Sequence, residues 1–403
     1  MRTLITGIGQ LATPRGRGPV GGERMNALYV RDGVEVLIED GRISRIGRAL
    51  PRTGVEETID ARGKLALPGF VDPHTHAVFA GTREDEFLAR ARGARYDGGG
   101  ILETAKAVRA ASEEDLARNT RIYLRRMLAW GTTTAEVKSG YGLTPESEVR
   151  LLLAVRRARR SLPMRIVPTF LGAHAFPPDV RRDDYISSII TEMIPTVRRR
   201  RLAQFCDVFC DVGFYTVPEA RTILRAARGA GLRLKLHADE LADSGGAALA
   251  AELSATSADH LLRTTESGMV RMRDAGVIPV LLPGTAFTLG TDYAPARRMI
   301  ELGLPVALGT DFNPGTCLIP SMPMVIGLAV MRMKMTVEEA ITAATLNAAA
   351  ALELADEVGS LEEGKSADIV LVELDNYRQL PYFFGHNPVK LVLHAGRVAH
   401  SCR

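Results

Sequence analysis

The stretch Pro68-Gly69-Phe70-Val71-Asp72-Pro73-His74-Thr75-His76 sets two imidazoles one residue apart at the end of an apolar run. Side chains two apart on an extended strand project to the same side, so His74 and His76 aim two nitrogens at one point. That geometry suits a metal: zinc and iron both accept imidazole nitrogen, and a catalytic site keeps one position open for water. A bare His-x-His is also a common accident of a strand end. The other histidines give it weight. Of eight histidines, His74, His76, His174, His237 and His260 all fall at ends of strand-like runs, whereas His386, His394 and His400 lie in a C-terminal β-rich region and read as structural or exposed. Asp311 ends a further run, in Gly309-Thr310-Asp311-Phe312-Asn313-Pro314-Gly315. Alone it would cap a turn. Facing His74, His76 and His237, it completes a set of three imidazoles and one carboxylate with room for a water, whose pKa a bound ion lowers toward ~7. A nearby carboxylate can take the remaining proton. The end of the fourth strand reads Cys210-Asp211-Val212, with no lysine to be carboxylated between two metals, and Lys138 reads as a charged loop residue. The pattern predicts one metal.

Such distant groups meet only if the chain between them folds as a ring of strands. From residue 68 to about 350, strand-like and helix-like segments alternate. The expected strands are the histidine strand, Thr132–Val137, Arg165–Leu171, Asp207–Val212, Arg233–Leu236, Ser257–Asp259, Val277–Leu282 and Pro305–Leu308. Ser112 with Asp115, Thr144 before Pro145, and Thr216 with Glu219 carry helix-start chemistry. Eight strands alternating with helices predict an α/β fold, a closed parallel (β/α)8 TIM-like barrel, whose chemistry sits at the C-terminal ends of its strands. Thr336 and Glu339 open an expected helix over Ala340–Ala355. Both ends of the chain are β-rich, with Asp40-Gly41 as a hairpin turn between Val34–Glu39 and Ile43–Ile46. They predict a small composite β-sandwich domain, 1–67 with 353–403, around a barrel at 68–352. Gly98-Gly99-Gly100 lacks the lysine of a phosphate loop and reads as a flexible loop at the barrel mouth.

Composition narrows the function classes. The chain has 403 residues, 46% apolar and 24% charged, with a net charge of +4. Neither a nucleic-acid nor a membrane partner follows from so small an excess. The arginine clusters at 156–160 and 198–201 read as solvated helix faces. The four cysteines, Cys206, Cys210, Cys317 and Cys402, match neither a zinc knuckle nor a disulfide framework. No signal peptide or bilayer-spanning run is visible, which predicts a cytoplasmic protein.

Longer strings add a resemblance. Val71–His76 running into Phe79-Ala80-Gly81-Thr82-Arg83-Glu84-Asp85-Glu86-Phe87, then Glu136–Leu143, Leu171-Gly172-Ala173-His174-Ala175, His237-Ala238-Asp239-Glu240, Ala258-Asp259-His260 and the Asp311 string resemble the amidohydrolase superfamily. In particular they are similar to its imidazolonepropionases, and the likeness spans nearly the whole chain. The resemblance implies one Zn2+ or Fe3+ per subunit on His74, His76, His237 and Asp311. It implies that Arg83 pairs with a propionate carboxylate, as its planar fork suits. It implies that Tyr141 and His174 contact the ligand, that Glu240 bonds a ring nitrogen or helps activate water, and that His260 shuttles a proton or polarises a carbonyl. Asn313, Gly315 and Thr316 would hold substrate or product. The implied substrate is 4-imidazolone-5-propanoate, opened to N-formimidoyl-L-glutamate, and the implied assembly is a homodimer. On residue types alone, Arg83 beside Glu84, Asp85 and Glu86 equally reads as a surface ion pair, His174 as a core histidine, and Glu240 as a carboxylate at a helix N-terminus. The chain departs from the family between Tyr96 and Gly98, where several residues are missing from a loop over the site. A deaminase of a nucleobase-like ring would share the metal set but lack the Arg83 string, and an inert barrel serving as a scaffold would have lost ligands.

Overall fold

The computed structural model describes residues 1–94 and 100–402. Eight parallel strands form the barrel: β1 (Phe70–Asp72), β2 (Thr132–Lys138), β3 (Arg165–Ala173), β4 (Phe205–Cys210), β5 (Arg233–Ala238), β6 (Ser257–His260), β7 (Ile278–Leu281) and β8 (Ala307–Leu308). They pair in sequence order from β1 to β8. The ring is completed beyond the ends of β1 and β8. Thr75 bridges Phe312 in parallel, Asp311 N donates to His74 O at 3.0 Å, and His76 N donates to Phe312 O at 2.9 Å. The Asp72 carboxylate reinforces this seam, accepting from Thr310 N at 3.0 Å and Thr310 Oγ1 at 2.6 Å.

The fourth strand starts and ends two residues earlier than expected, leaving Asp211 and Val212 past its end. β2 and β3 run further than expected, and this carries Lys138 into the wall of the barrel. The helix starts have the anticipated caps: Ser112 Oγ accepts from Asp115 N, Thr144 Oγ1 from Ser147 N, and Thr216 and Thr336 form capping boxes with Glu219 and Glu339. The helix expected over 340–355 is instead two, Val337–Ala343 and Leu346–Ala350. Thr345 leaves helical geometry (φ −131°, ψ −86°), and its Oγ1 donates to Ile341 O at 2.6 Å. The Ala344 carbonyl turns to accept from Val71 N of the barrel at 3.0 Å. A tertiary hydrogen bond thus replaces an intrahelical one.

The termini build a second sheet. Hydrogen bonds join Arg397–Ser401, Val389–His394, Ile369–Val372, Leu65–Pro68, Arg2–Thr13, Tyr29–Glu39 and Arg42–Gly47 in that order, with Glu57–Asp60 beside Arg2–Thr13, into one mixed sheet. Asp40 (φ 49°) and Gly41 (φ 81°) make the hairpin turn that their types favour. Ile5, Ile8, Leu11, Val36, Ile369 and Leu393 pack its core. Gly69 alone separates this sheet from β1; a Cβ there would lie 2.2 Å from Thr133 Oγ1. Of the glycine run, Gly98 and Gly99 lie outside the described residues, as does the shortened Tyr96–Gly98 segment, while Gly100 opens the helix Gly100–Ala110. Among the described residues no helix is long and apolar enough to cross a membrane.

Candidate metal centre and substrate pocket

At the C-terminal mouth of the barrel the imidazoles converge. His76 Nε2 lies 3.3 Å from His237 Nε2. Asp311 Oδ1 lies 3.6 Å from both His74 Nε2 and His76 Nε2. The His74 and His237 ring centres are 4.5 Å apart. The liganding atoms of His74, His76 and Asp311 fall within 4.8 Å of one another, and so do those of His74, His237 and His260 and those of His76, His174 and His237. All of these groups are buried.

Carboxylates lie against the outer nitrogens of two of the rings. His74 Nδ1 is 2.6 Å from Asp259 Oδ2, and His237 Nδ1 is 3.0 Å from Asp207 Oδ2. A carboxylate only accepts, so the His74 proton sits on Nδ1 and its Nε2 lone pair faces the cluster, whereas the His237 Nδ1 contact falls short of hydrogen-bond geometry. His74 Nε2 has no hydrogen-bond partner although fully buried. A buried lone pair aimed at other lone pairs and a carboxylate fits a divalent cation. Burial, aided by neighbouring cations, holds His74 and His76 well below the usual histidine range, so both rings are neutral and ready to ligate. Asp311 is pushed up to about 6 by burial, against the pull of Thr285, which donates to Oδ2 at 2.6 Å. A cation held by this carboxylate would have to expel that proton. Affinity should therefore rise with pH and level off above 6; competition with a chelator should find it about tenfold weaker at pH 5 than at pH 7.5.

Three residues of this mouth, Asp239 (φ 51°), His260 (φ 76°) and Asp311 (φ 53°), hold left-handed backbone conformations that disfavour side chains. Packing and hydrogen bonds fix them there. Asp239, for example, accepts from Gly246 N at 2.9 Å and from Thr264 Oγ1 at 2.7 Å.

The remaining expected site residues surround the cluster. His174 stacks on His76 (centroids 5.0 Å, planes 16° apart) with its Nδ1 3.0 Å from Gly140 O. Tyr141 is buried beside it, ring centres 5.1 Å apart. Glu240 does not cap a helix: the next one begins at Gly246. Its Oε2 lies 3.6 Å from His260 Nδ1, and burial, with the Asp311 and Asp211 charges, holds its carboxyl well above the usual range. Asn313 is engaged within its own loop, its Oδ1 accepting from Gly315 N at 2.9 Å and Thr316 N at 2.7 Å. Its Nδ2 donates to Asp311 O at 2.7 Å and to Thr316 Oγ1 at 2.8 Å. Arg83 does make the ion pair that residue types alone suggest, with Glu86. It is nevertheless buried and lines the inner cavity with His76, Tyr141, His174 and His260.

Several groups were not anticipated. Lys138, read as a loop residue, is the last residue of β2 and fully buried. Its Nζ lies 2.7 Å from Asp207 Oδ2, 2.8 Å from Glu136 Oε2 and 3.5 Å from Asp259 Oδ2. Lys235 Nζ reaches Glu136 Oε2 at 3.0 Å and Pro73 O at 2.8 Å. This network lies behind the imidazoles; its signal in the sequence was charge inside otherwise apolar strands. Asp211 gathers the Glu240 loop, accepting from Glu240 N at 2.7 Å and Leu241 N at 2.8 Å. Glu148 does the same for the Tyr141 loop, accepting from Gly140, Gly142 and Leu143 N at 2.7–3.0 Å.

Comparison with known proteins gives the family of the chain. The amidohydrolase family model matches residues 65–399. Imidazolonepropionase of Syntrophobacter fumaroxidans is 49% identical over 397 residues, covering 94% of this chain and 93% of that one. Imidazolonepropionase of Geobacillus thermodenitrificans is 48% identical, covering 98% and 96%. Among solved structures, atrazine chlorohydrolase from Arthrobacter aurescens complexed with zinc and atraton superposes with a TM-score of 0.77 at 18% identity, covering 98% and 94%. Guanine deaminase from C. acetobutylicum with bound guanine gives 0.74 at 16%, covering 99% and 100%. At such identities the structural likenesses speak to the fold alone.

Proposed function

Since this chain belongs to the amidohydrolase family and, within it, to the imidazolonepropionases, we propose that it opens the ring of 4-imidazolone-5-propanoate with water, giving N-formimidoyl-L-glutamate in histidine degradation. His74, His76, His237 and Asp311 hold one Zn2+ or Fe3+ per subunit. The observation that carries this reading is that His74 Nε2, buried without a hydrogen-bond partner, and His76 Nε2 each lie 3.6 Å from Asp311 Oδ1, while His237 Nε2 lies 3.3 Å from His76 Nε2. When bound, the ion supplies Lewis-acid polarisation of the ring carbonyl and a water acidic enough to attack near neutral pH.

The chain's own residues do the rest. Asp311, deprotonated once the ion is held, accepts the water's proton. His260, held neutral chiefly by burial, donates to the carbonyl oxygen as charge builds there. Glu240, whose buried carboxyl keeps a proton to higher pH than an exposed one, delivers it to the leaving ring nitrogen. Arg83 pairs with the propionate, Tyr141 and His174 flank the ring, and Gly315 and Thr316 contact it from the Asp311 loop. Asn313 acts mainly by shaping that loop, since its side chain already bonds Gly315 and Thr316. The partner under this reading is a small molecule, not a nucleic acid or a membrane, and the assembly is a cytoplasmic homodimer.

Metal analysis of the purified protein with a ring-opening assay tests the reading. Bound metal without ring opening, together with ammonia release from a nucleobase, would sink it in favour of a deaminase. Arg83→Ala should raise KM by roughly 30- to 150-fold while kcat changes much less, the loss of a charge-assisted bidentate pair. An unchanged KM would remove Arg83 from the carboxylate site.

A further inference from the structure

Two cavities meet at the barrel mouth. The outer one has a volume of about 1480 Å³ and the inner one, among the imidazoles, about 20 Å³. The inner volume suits a water or two, not a five-membered ring with a propionate arm. The boundary must therefore open before a ring reaches the cluster. Arg83, Glu240 and Thr316 line both cavities, and Arg83 is the long side chain among them. Its guanidinium lies against two glycines. A Cβ on Gly315 would come within 2.2 Å of Cζ, and one on Gly100 within 2.2 Å of Nη2.

What holds the guanidinium there is a carboxylate. Arg83 Nε donates to Glu86 Oε2 at 2.7 Å and Nη2 to Glu86 Oε1 at 2.9 Å. Glu86 is drawn to its place by Arg90, which also donates to Gly315 O at 2.7 Å. Thus a two-oxygen, two-nitrogen fork, the geometry in which guanidinium best recognises a carboxylate, is already filled. The Arg83 side chain is 5% exposed but that of Glu86 is 28% exposed, so Glu86 is the member that can swing into solvent.

We propose that Glu86 is an internal competitor for the substrate's carboxylate at Arg83. In the free protein it completes the fork and keeps the passage to the inner cavity shut; the incoming propionate exchanges for it. A ligand bearing a carboxylate replaces one charge-assisted pair by another, whereas a neutral ring must break the pair with nothing to offset it. Glu86 thereby excludes uncharged rings that would otherwise suit the imidazole cluster. The inference rests on the assignment of Arg83 to the substrate carboxylate made above.

Glu86→Gln keeps the shape and removes the charge. Apparent affinity is reduced by the fraction of protein in the closed state. The substitution should therefore lower KM for imidazolone propionate by about tenfold with kcat little changed, and tighten binding of N-formimidoyl-L-glutamate in calorimetry by the same factor. Simple repulsion between Glu86 and an anion would give a similar gain without Arg83. The cycle with Arg83→Ala separates the two: exchange at Arg83 requires that the Glu86→Gln gain vanish in the Arg83→Ala background. A gain that persists there overturns the proposal, as does a KM that rises or stays within twofold of the parent in the single variant, which would make Glu86 an anchor for Arg83. If Arg83→Ala itself leaves KM unchanged, the assignment of Arg83 fails. If it raises KM while Glu86→Gln does not lower it, only the competition fails.

Discussion

His237→Ala is expected to abolish metal binding and ring opening together, with kcat/KM falling by on the order of 10^4 or more. Three imidazoles and a carboxylate form the proposed set, and His237 supplies the nitrogen facing His76 Nε2 at 3.3 Å. Its loss leaves two nitrogens and one carboxylate on one side of the pocket, and no ordered group at the position the ring occupied. The effect should be local. His237 belongs to β5, whose backbone pairs with β4 and β6 whatever the side chain, so far-UV circular dichroism should match that of the metal-free parent. His174→Ala is the informative contrast: it removes a ring of equal size stacked on His76 but outside the proposed set, and should retain metal while losing substrate affinity. Metal content measured on both variants after dialysis decides the assignment. A His237→Ala protein that keeps stoichiometric metal would mean that His260 or His174, both within reach of the same cluster, completes the set instead.

The groups gathered at the barrel mouth were legible in the sequence because strand periodicity and strand ends constrain them. His74 and His76 share a face by alternation, and His174, His237, His260 and Asp311 mark strand ends, where a barrel presents its side chains. What lies behind them was not. Lys138 was read as a loop residue because nothing local says that β2 continues to it; its burial is settled by Asp207, 69 residues away. The expected helix over 340–355 failed for a similar reason: its Ala-rich composition favours a continuous helix, yet Val71 takes the Ala344 carbonyl. For Asn313, whose substrate role came from the family resemblance, only coordinates show that its amide also builds the turn at Gly315 and Thr316. For Lys138 and for the helix over 340–355, local preference was a sound guide until a partner far along the chain outbid it.

The network behind the imidazoles should be the most stability-sensitive part of the molecule. Lys138, Lys235, Glu136, Asp207 and Asp259 are fully buried. In Lys138, burial alone would lower the pKa, but the carboxylates of Asp207, Glu136 and Asp259 outweigh it and hold the ammonium above the ordinary lysine range. Lys138→Met fills the same space without the charge. It leaves Glu136 and Asp259 with Lys235 as their one ammonium and Asp207 with only the His237 ring beside it, and removing one partner of a buried ion pair costs about 3–5 kcal/mol. Urea unfolding of the metal-free protein should register a loss of that size. If the loss were a matter of packing, removing a second charge would add to it. If charge balance is responsible, Lys138→Met with Glu136→Gln, which deletes one buried positive and one buried negative group together, should be more stable than Lys138→Met alone by roughly 0.5–3 kcal/mol, the usual range of coupling between contacting residues. Among the described residues Glu136 hydrogen-bonds no imidazole of the proposed metal set, although a His74 nitrogen lies within 4.8 Å of it; it binds Lys138, Lys235 and Thr169. Recovery in the double variant would therefore report on the charge balance of the network itself. A double variant no more stable than the single would mean that the methylene stem of Lys138, not its ammonium, supports the barrel at this point.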